Sequence, residues 1–183
     1  MSTINLSISH VKLKILILFY ISLLLFSCVK ASEEPLIEYT SDEGQFSVSM
    51  PGKPSKEIKN ITTAAGSITM HVFTVEKPDI AYMVAYSDYP NVVIEHSDPE
   101  ELLDGAKKGA MKNMGGKITK EEHITYGEDP GRELSFSAKG GIGKGQAVIL
   151  LSGNRLYQVL AVGLKEKYPD QTVKKYIDSL EIW

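Results

Sequence analysis

The residues best able to do chemistry in this chain are a few histidines, scattered carboxylates and one glycine-rich loop. His71, His96 and His123 are far apart and lack the short spacing of a zinc-ligand set. Glu95-His96-Ser97-Asp98 gathers hard and borderline ligands, but Asp98 is better placed to cap a helix, so a solvated loop is expected there and no metal. Glu121-Glu122 and Glu128-Asp129 are adjacent pairs. Neighbours on a strand point to opposite faces, so Glu121 and Glu122 cannot readily share a proton as an acid/base pair does. Gly141-Ile142-Gly143-Lys144-Gly145 has the glycine content of a phosphate cradle, yet it leads into a strand, and no Ser or Thr follows Lys144. A phosphate cradle needs amides converging at a helix N-terminus, so a flexible hairpin loop that lets a partner approach closely is the better reading. The chain has no Gly-x-Ser-x-Gly elbow, Cys/His pair or His-Glu-x-x-His helix. No enzyme and no cofactor are expected. The remaining catalytic alternative, a hydrolase built from dispersed residues, requires a buried acid/base or nucleophile constellation in a cleft.

Binding is better supported than catalysis. In Tyr82-Met83-Val84-Ala85-Tyr86-Ser87-Asp88-Tyr89, Tyr82, Val84 and Tyr86 share one strand face while Met83, Ala85 and Ser87 share the other. Tyrosine joins a large apolar body to a polar tip and serves both core edges and recognition surfaces. Packing beneath a helix is the plainer role. If a binding surface exists, the loop Asp88–His96 with Tyr82, Tyr86, Tyr89 and His96 is where it belongs. A small-molecule or divalent-cation receptor is the alternative within binding, and a concave site joining His71, His96 or the tyrosines would mark it.

Cys28 is the sole cysteine, so no intramolecular disulfide is possible. It follows Lys12 and Lys14 and the apolar stretch Ile15–Phe26, broken only by Ser22. That stretch fits a secretory h-region of about 7–15 residues and falls short of the roughly 20 needed to span a bilayer. Leu25-Phe26-Ser27-Cys28 resembles a bacterial lipoprotein box, with Phe26 where a small residue is usual. Residues 1–27 therefore read as a lipoprotein signal peptide and Cys28 as the lipidated, palmitate-bearing mature N-terminus. The alternative is a signal peptide cut elsewhere, after Ala31 for instance, which would discard Cys28.

A membrane-anchored domain in the periplasm, or otherwise outside the cytoplasmic membrane, is the expected arrangement. Residues 28–44 are polar and read as a flexible tether, and 45–183 as one domain. The chain has 20 Lys and Arg against 23 Asp and Glu, a net charge of −3, and no basic block. Nucleic acid is not an expected partner, and the lipid alone is expected to touch the membrane. A monomer that meets an envelope protein partner fits these features.

The folded part starts with alternation at Gln45–Met50 and stops at Pro51-Gly52-Lys53-Pro54. Glu57–Thr63 and Ser67–Lys77 flank Ala64-Ala65-Gly66, and Ala81–Tyr89 follows the turn Lys77-Pro78-Asp79, predicting a meander. Asp98-Pro99 opens a helix with Glu101 at the capping-box position; Leu102, Leu103, Ala106, Ala110, Met111 and Met114 form its apolar face, and Gly115-Gly116 stops it. Lys117–Tyr126 and Glu133–Ala138 read as strands joined through Gly127–Arg132. Ala147–Leu151 and Leu156–Val162 form a hairpin around Ser152-Gly153-Asn154-Arg155, and Pro169-Asp170 opens a helix burying Val173, Tyr176, Ile177 and Leu180. Short turns between strands, with one helix midway and one at the end, give an α+β class: an antiparallel sheet flanked by helices.

The Phe46-Ser47-Val48-Ser49-Met50-Pro51-Gly52 strand, the midchain helix, Gly131-Arg132-Glu133-Leu134, Asn154-Arg155-Leu156-Tyr157 and the closing Ser179-Leu180-Glu181-Ile182 resemble the PsbP-like superfamily, which includes many bacterial envelope lipoproteins. The resemblance implies an α-β-α sandwich used as a binding or assembly module, usually without enzymatic activity, and it carries over no catalytic residue. Cys28→Ser is expected to move the protein from membrane pellets to the soluble fraction while leaving its circular dichroism and melting unchanged; persistence in the pellet would count against the anchor.

Overall fold

Consecutive residues of the Ala147–Leu151 run bury their side chains on alternate faces of a sheet, Val148 and Leu150 to one side and Ala147, Ile149 and Leu151 to the other. Both faces must therefore be covered. The computed structural model describes residues 34–63 and 66–183. The signal sequence, its lipoprotein box and Cys28 lie outside the described residues.

Ten strands are present among the described residues: β1 (Ile37–Ser41), β2 (Phe46–Met50), β3 (Ser55–Thr63), β4 (Gly66–Lys77), β5 (Ile80–Asp88), β6 (Lys117–Tyr126), β7 (Asp129–Ala138), β8 (Gly143–Ser152), β9 (Arg155–Leu164) and β10 (Glu181–Ile182). The helices are α1 (Asn91–His96), α2 (Pro99–Met114) and α3 (Asp170–Asp178). Strands β3 to β9 build a seven-stranded sheet in the order β3-β4-β5-β9-β8-β7-β6, antiparallel throughout, and β1-β2-β10 form a separate small sheet.

One face of the large sheet buries Phe73, Tyr82, Val84, Tyr86, Tyr157 and Val159 beneath Phe46, Val48 and Met50 of the small sheet and Val173 and Tyr176 of α3. The opposite face buries Leu134, Phe136, Ile149, Leu156 and Leu160 against Leu103 and Met111 of α2, with Val93 and Ile94 of α1 alongside. The architecture is the expected α+β sandwich with an added element, since one of its layers combines a helix with the small sheet. That layer combines the first and the last of the described elements. Ser179 Oγ accepts the Ser49 N–H at 2.8 Å, and the buried Tyr176 hydroxyl donates to the Met83 carbonyl at 2.7 Å. These bonds lock α3 to β2 and to the large sheet.

Several boundaries depart from the sequence reading. The stretch expected as a tether includes β1, paired with β2 over its whole length from Ile37↔Met50 to Ser41↔Phe46. Its charged and polar residues hide the strand, because Tyr39 alone turns a large ring inward, to Phe46 and Phe73 at 6.3 and 5.5 Å. The ordered domain thus starts ahead of Gln45, and β2 belongs to the small sheet instead of the meander. The loop expected at Gly127–Arg132 shrinks to Gly127-Glu128, because β7 already begins at Asp129 and carries Pro130 near its start, ahead of its pairing with β8. Residues 91–96, expected as loop, form α1. Part of the glycine-rich loop is strand: β8 starts at Gly143, and a Cβ on Gly145 would lie 2.2 Å from the Phe136 ring, so glycine there makes room for an aromatic of the neighbouring strand.

The small sheet predicts a stability effect that a tether would not show. Tyr39→Ala should lower the unfolding free energy by about 2 kcal/mol, below the roughly 3–5 kcal/mol for losing a fully buried aromatic because Tyr39 is half-buried, as read by urea titration. A change below 0.5 kcal/mol, the scale of ordinary surface substitutions, would show that β1 contributes nothing.

Candidate functional site

The antiparallel sheet has two ends, each made of turns. One carries Pro78-Asp79, residues 139–142 and residues 164–167; the other carries Asp88, Gly127-Glu128 and Gly153-Asn154. Of the tyrosines singled out in the sequence, Tyr86 and Tyr89 occur toward the second end and Tyr82 toward the first, all of them as core. Tyr82 and Tyr86 are buried under the small sheet and α3, and Tyr89 is buried on the opposite face near α2. The pleat forces that division: residues of even number on β5 face one layer, while Tyr89 lies just past the strand. His96 is exposed on α1, its Nδ1 2.9 Å from the Val92 carbonyl oxygen of its own helix. These four residues therefore do not form one exposed surface.

The structure does assemble a polar stack around Tyr86. The His71 ring stacks on Tyr86 at 4.6 Å with 12° between the planes, and the Arg155 guanidinium is 4.7 Å from the same ring's centroid. Register explains the grouping, since His71 and Tyr157 are the cross-strand partners of Tyr86, and Arg155 is that of Asp88. Arg155 binds the Asp88 carboxylate through Nε at 2.6 Å and Nη2 at 2.9 Å, and donates to the Glu43 carbonyl at 3.0 Å. The Tyr157 hydroxyl donates to the Gly44 carbonyl at 2.9 Å. The loop between β1 and β2 is thereby clamped over the end of the large sheet. Burial first, then the Glu43 carboxylate, pushes the Tyr86 hydroxyl up to about 12, and the Asp88 hydrogen bond keeps Arg155 firmly charged. The Lys56 ammonium, hydrogen-bonded to Glu43, holds that carboxyl below its ordinary value.

Beside this clamp, on the α1 side, lies a shallow hollow of about 310 Å³ lined by Asn91, Ile94, Glu95, Gly153 and Asn154. Its floor is fixed by the Tyr89 N–H donating to the Asn154 carbonyl at 2.8 Å and the Asn154 side-chain amide donating to the Tyr89 carbonyl at 3.1 Å. Val92 next to it is 62% exposed. The segment 88–96 is thus an exposed feature of the domain, with Asp88, Asn91, Val92, Glu95 and His96 at its surface and Tyr89 buried.

A second charged cluster escaped the sequence reading. Arg132 is only 2% exposed, on the inward parity of β7 with Leu134 and Phe136. Its guanidinium pairs with Glu100 of α2 through both terminal nitrogens, and its Nε is 3.4 Å from Glu121 Oε1 of β6. Lys107 of α2 bridges Asp104 at 2.8 Å and Glu121 at 2.6 Å. The network fastens α2 to the edge pair β6–β7. The helix start is capped as expected by Asp98, whose carboxylate accepts the Glu100 N–H at 2.9 Å. The Arg132 hydrogen bond holds the Glu100 carboxyl below its ordinary value, and the Lys107 hydrogen bond does the same for Asp104. Their oxygens are committed to Arg132 and Lys107, so the cluster positions α2 on the sheet. Among the described residues, no group of three or more His, Cys, Asp or Glu is placed to hold a metal ion.

The lowered carboxyls set a pH dependence. Their contribution is complete above the ordinary carboxylate range and is lost as pH falls through the lower values of the folded state. Arg132→Met should remove about 2 kcal/mol of stability at neutral pH, less than the 3–5 expected for a fully buried pair because the carboxylates left behind still meet water. It should also flatten the acid limb of the stability–pH profile, measured by urea titration across the acid range. An unchanged acid limb would remove Glu100 as the responsible group.

No protein-family model and no curated protein matches the sequence. Among solved structures, cyanobacterial PsbP of Synechocystis superposes with a TM-score of 0.54 at 10% identity, covering 87% of this chain and 99% of that one. LpqN of Mycobacterium tuberculosis, a protein involved in cell envelope biogenesis, gives 0.39 at 16% identity over 70% and 84%. A Pseudomonas aeruginosa protein of unknown function gives 0.41 at 12% identity over 75% and 88%. Identities this low speak only to architecture, and on the PsbP superposition the chain has the PsbP-like α+β fold.

Proposed function

We propose that this protein is a lipid-anchored component of the bacterial cell envelope whose domain is a non-catalytic binding or assembly module, joined to the membrane through Cys28. The surface that meets its protein partner is the sheet end formed by Asn91–Glu95, Gly153-Asn154 and the Arg155 clamp. The observation that carries this reading is a rigidly held but exposed patch at that end. The Tyr89–Asn154 bonds and the Arg155–Asp88 pair fix its backbone, while Val92 projects into solvent beside the hollow. Preorganised backbone with a projecting apolar side chain lowers the ordering entropy that binding must overcome. Arginine beside an aromatic ring is a frequent energetic centre of protein interfaces. The cysteine placement in a lipoprotein-like box supports the membrane link.

In-cell photo-crosslinking from a reactive residue at Val92 or Glu95 tests the reading. One envelope protein should be captured from both positions and lost when Cys28→Ser displaces the domain from the membrane. Adducts no stronger than those from Lys120 on the edge strand β6 would refute the assignment of this surface.

A further inference from the structure

The opposite end of the sheet has its own exposed apolar tip. Ile142 is 69% exposed and Leu164 42%, and with Ile80 and Val162 they line a hollow of about 310 Å³ between the β4–β5 turn and the segment 138–143. This tip is built and held. Lys139, Gly140 and Gly141 take φ of 48°, 70° and 98°, three successive left-handed residues, of which Lys139 is one of only two non-glycine cases among the described residues. The Lys165 N–H donates to the Ile142 carbonyl at 3.0 Å, and the Leu164 N–H to the Asp79 carbonyl at 2.8 Å. A Cβ on Gly163 would fall 2.6 Å from the Asp79 carbonyl oxygen, so the β4–β5 turn packs directly on β9.

The N-terminal segment enters the domain at this same end. Glu34 is ion-paired with Lys77 at 2.7 Å, and Lys77 lines the hollow. Residues 29–33 are all that separate Cys28 from Glu34, a reach of at most about 20 Å even when fully extended. A lipidated Cys28 would therefore keep Glu34 within that distance of the bilayer interface, whatever path the segment takes, with Lys77 one ion pair beyond it. The charge on this end suits such proximity. Lys77, Lys139, Lys144, Lys165 and Lys167 are balanced by Glu34, Glu76, Asp79, Glu166 and Asp170, with Lys167 on Asp79 at 3.0 Å and Lys144 on Asp170. The acidic excess of the chain lies elsewhere, so an anionic bilayer meets no net negative charge from these groups.

We infer that this end is a membrane-docking surface, with Ile142 and Leu164 resting in the lipid interface and the exposed Lys139 and Lys165 reaching toward phosphates. The occupant is the lipid bilayer itself. Aliphatic lysine stems can lie along the apolar layer while their ammonium groups stay at the headgroups. The docked domain presents the Asn91–Glu95 end away from the membrane. The inference rests on the Cys28 anchor, and it departs from the expectation that the lipid alone makes contact, because a whole-chain net charge averages away one neutral, apolar end.

A natively lipidated Cys28 leaves no other cysteine in the chain, so Ile142→Cys, Leu164→Cys and Val92→Cys each give a unique thiol for an environment-sensitive fluorophore. The lipidated full chain would be reconstituted into vesicles of phosphatidylethanolamine and phosphatidylglycerol containing a nitroxide-labelled lipid. Quenching at 142 and 164 should exceed that at 92 by about threefold, the contrast expected between interfacial and water-exposed positions. The double change Ile142→Asp and Leu164→Asp should reduce quenching of a fluorophore at Lys139→Cys while the protein still floats with the vesicles. Flotation with equal quenching at 142, 164 and 92 would overturn the docking but keep the anchor. Failure to float would overturn the anchor and the docking with it.

Discussion

The structure depends on burying a sheet that is apolar on both faces. Val148 and Leu150 require one cover and Ile149 and Leu151 another, so a single layer of helix cannot complete the fold. Helix α2 supplies one cover with Leu103 and Met111. The other is assembled from sequence-distant pieces, β1–β2 before the large sheet and α3–β10 after it, which meet through Ser49–Ser179 and through pairing of β10 with β2. This closure links the first and last described elements, so the second face is completed only when α3 and β10 have joined β2. Such long-range pairing imposes a loop-closure entropy that the aromatic contacts among Tyr39, Phe46, Phe73 and Tyr86 must offset.

Polar groups then decide how the layers are oriented. Arg132 occupies an inward position, where an aliphatic residue would pack α2 without fixing its azimuth. A guanidinium held by Glu100 and Glu121, with Lys107 cross-linking Asp104 and Glu121, admits far fewer arrangements of helix on sheet. The Arg155 clamp does the same for the small sheet, holding the turn before β2 by carbonyls as well as by charge. Both arginines connect elements that the hydrophobic pattern alone could let slide.

What could be seen in the sequence follows from what each element uses as its signal. The hairpin β8–β9, the helix beginning at Asp98-Pro99 and the edge strand Lys117–Tyr126 are set by local pattern, and they appear where periodicity and capping put them. β1 is hidden because only one of its residues turns a large ring inward, and the first residues of β7 because Asp129-Pro130-Gly131 has the composition of a turn. For the tyrosines residue type leaves core and surface both open, because it cannot reveal whether a second layer covers a strand; the small sheet and α3 cover Tyr82 and Tyr86, and the position of that layer depends on pairing between residues far apart in the chain. Arg132 did leave a trace. It stands in step with Leu134, Phe136 and Ala138, all buried, and a charge at an inward parity signals a buried partner even when the partner's identity is a matter of tertiary structure.

An antiparallel sheet with short turns places every connection at one of two ends, and this fold uses the two differently. At the Arg155 end the turns are locked by side-chain pairs, and the exposed groups stand on a stiff base. At the other end the shape comes from backbone: three left-handed residues and a close approach at Gly163 hold Ile142 and Leu164 outward with little polar cover. Two branched aliphatic side chains are left facing water there, on a turn shaped by its backbone. With the proposed lipid on Cys28, the short stretch before Glu34 would hold that tip near the bilayer. Anchor, apolar tip and outward-facing patch would then share a single constraint, the direction in which a short N-terminal segment leaves a sheet that has only two ends.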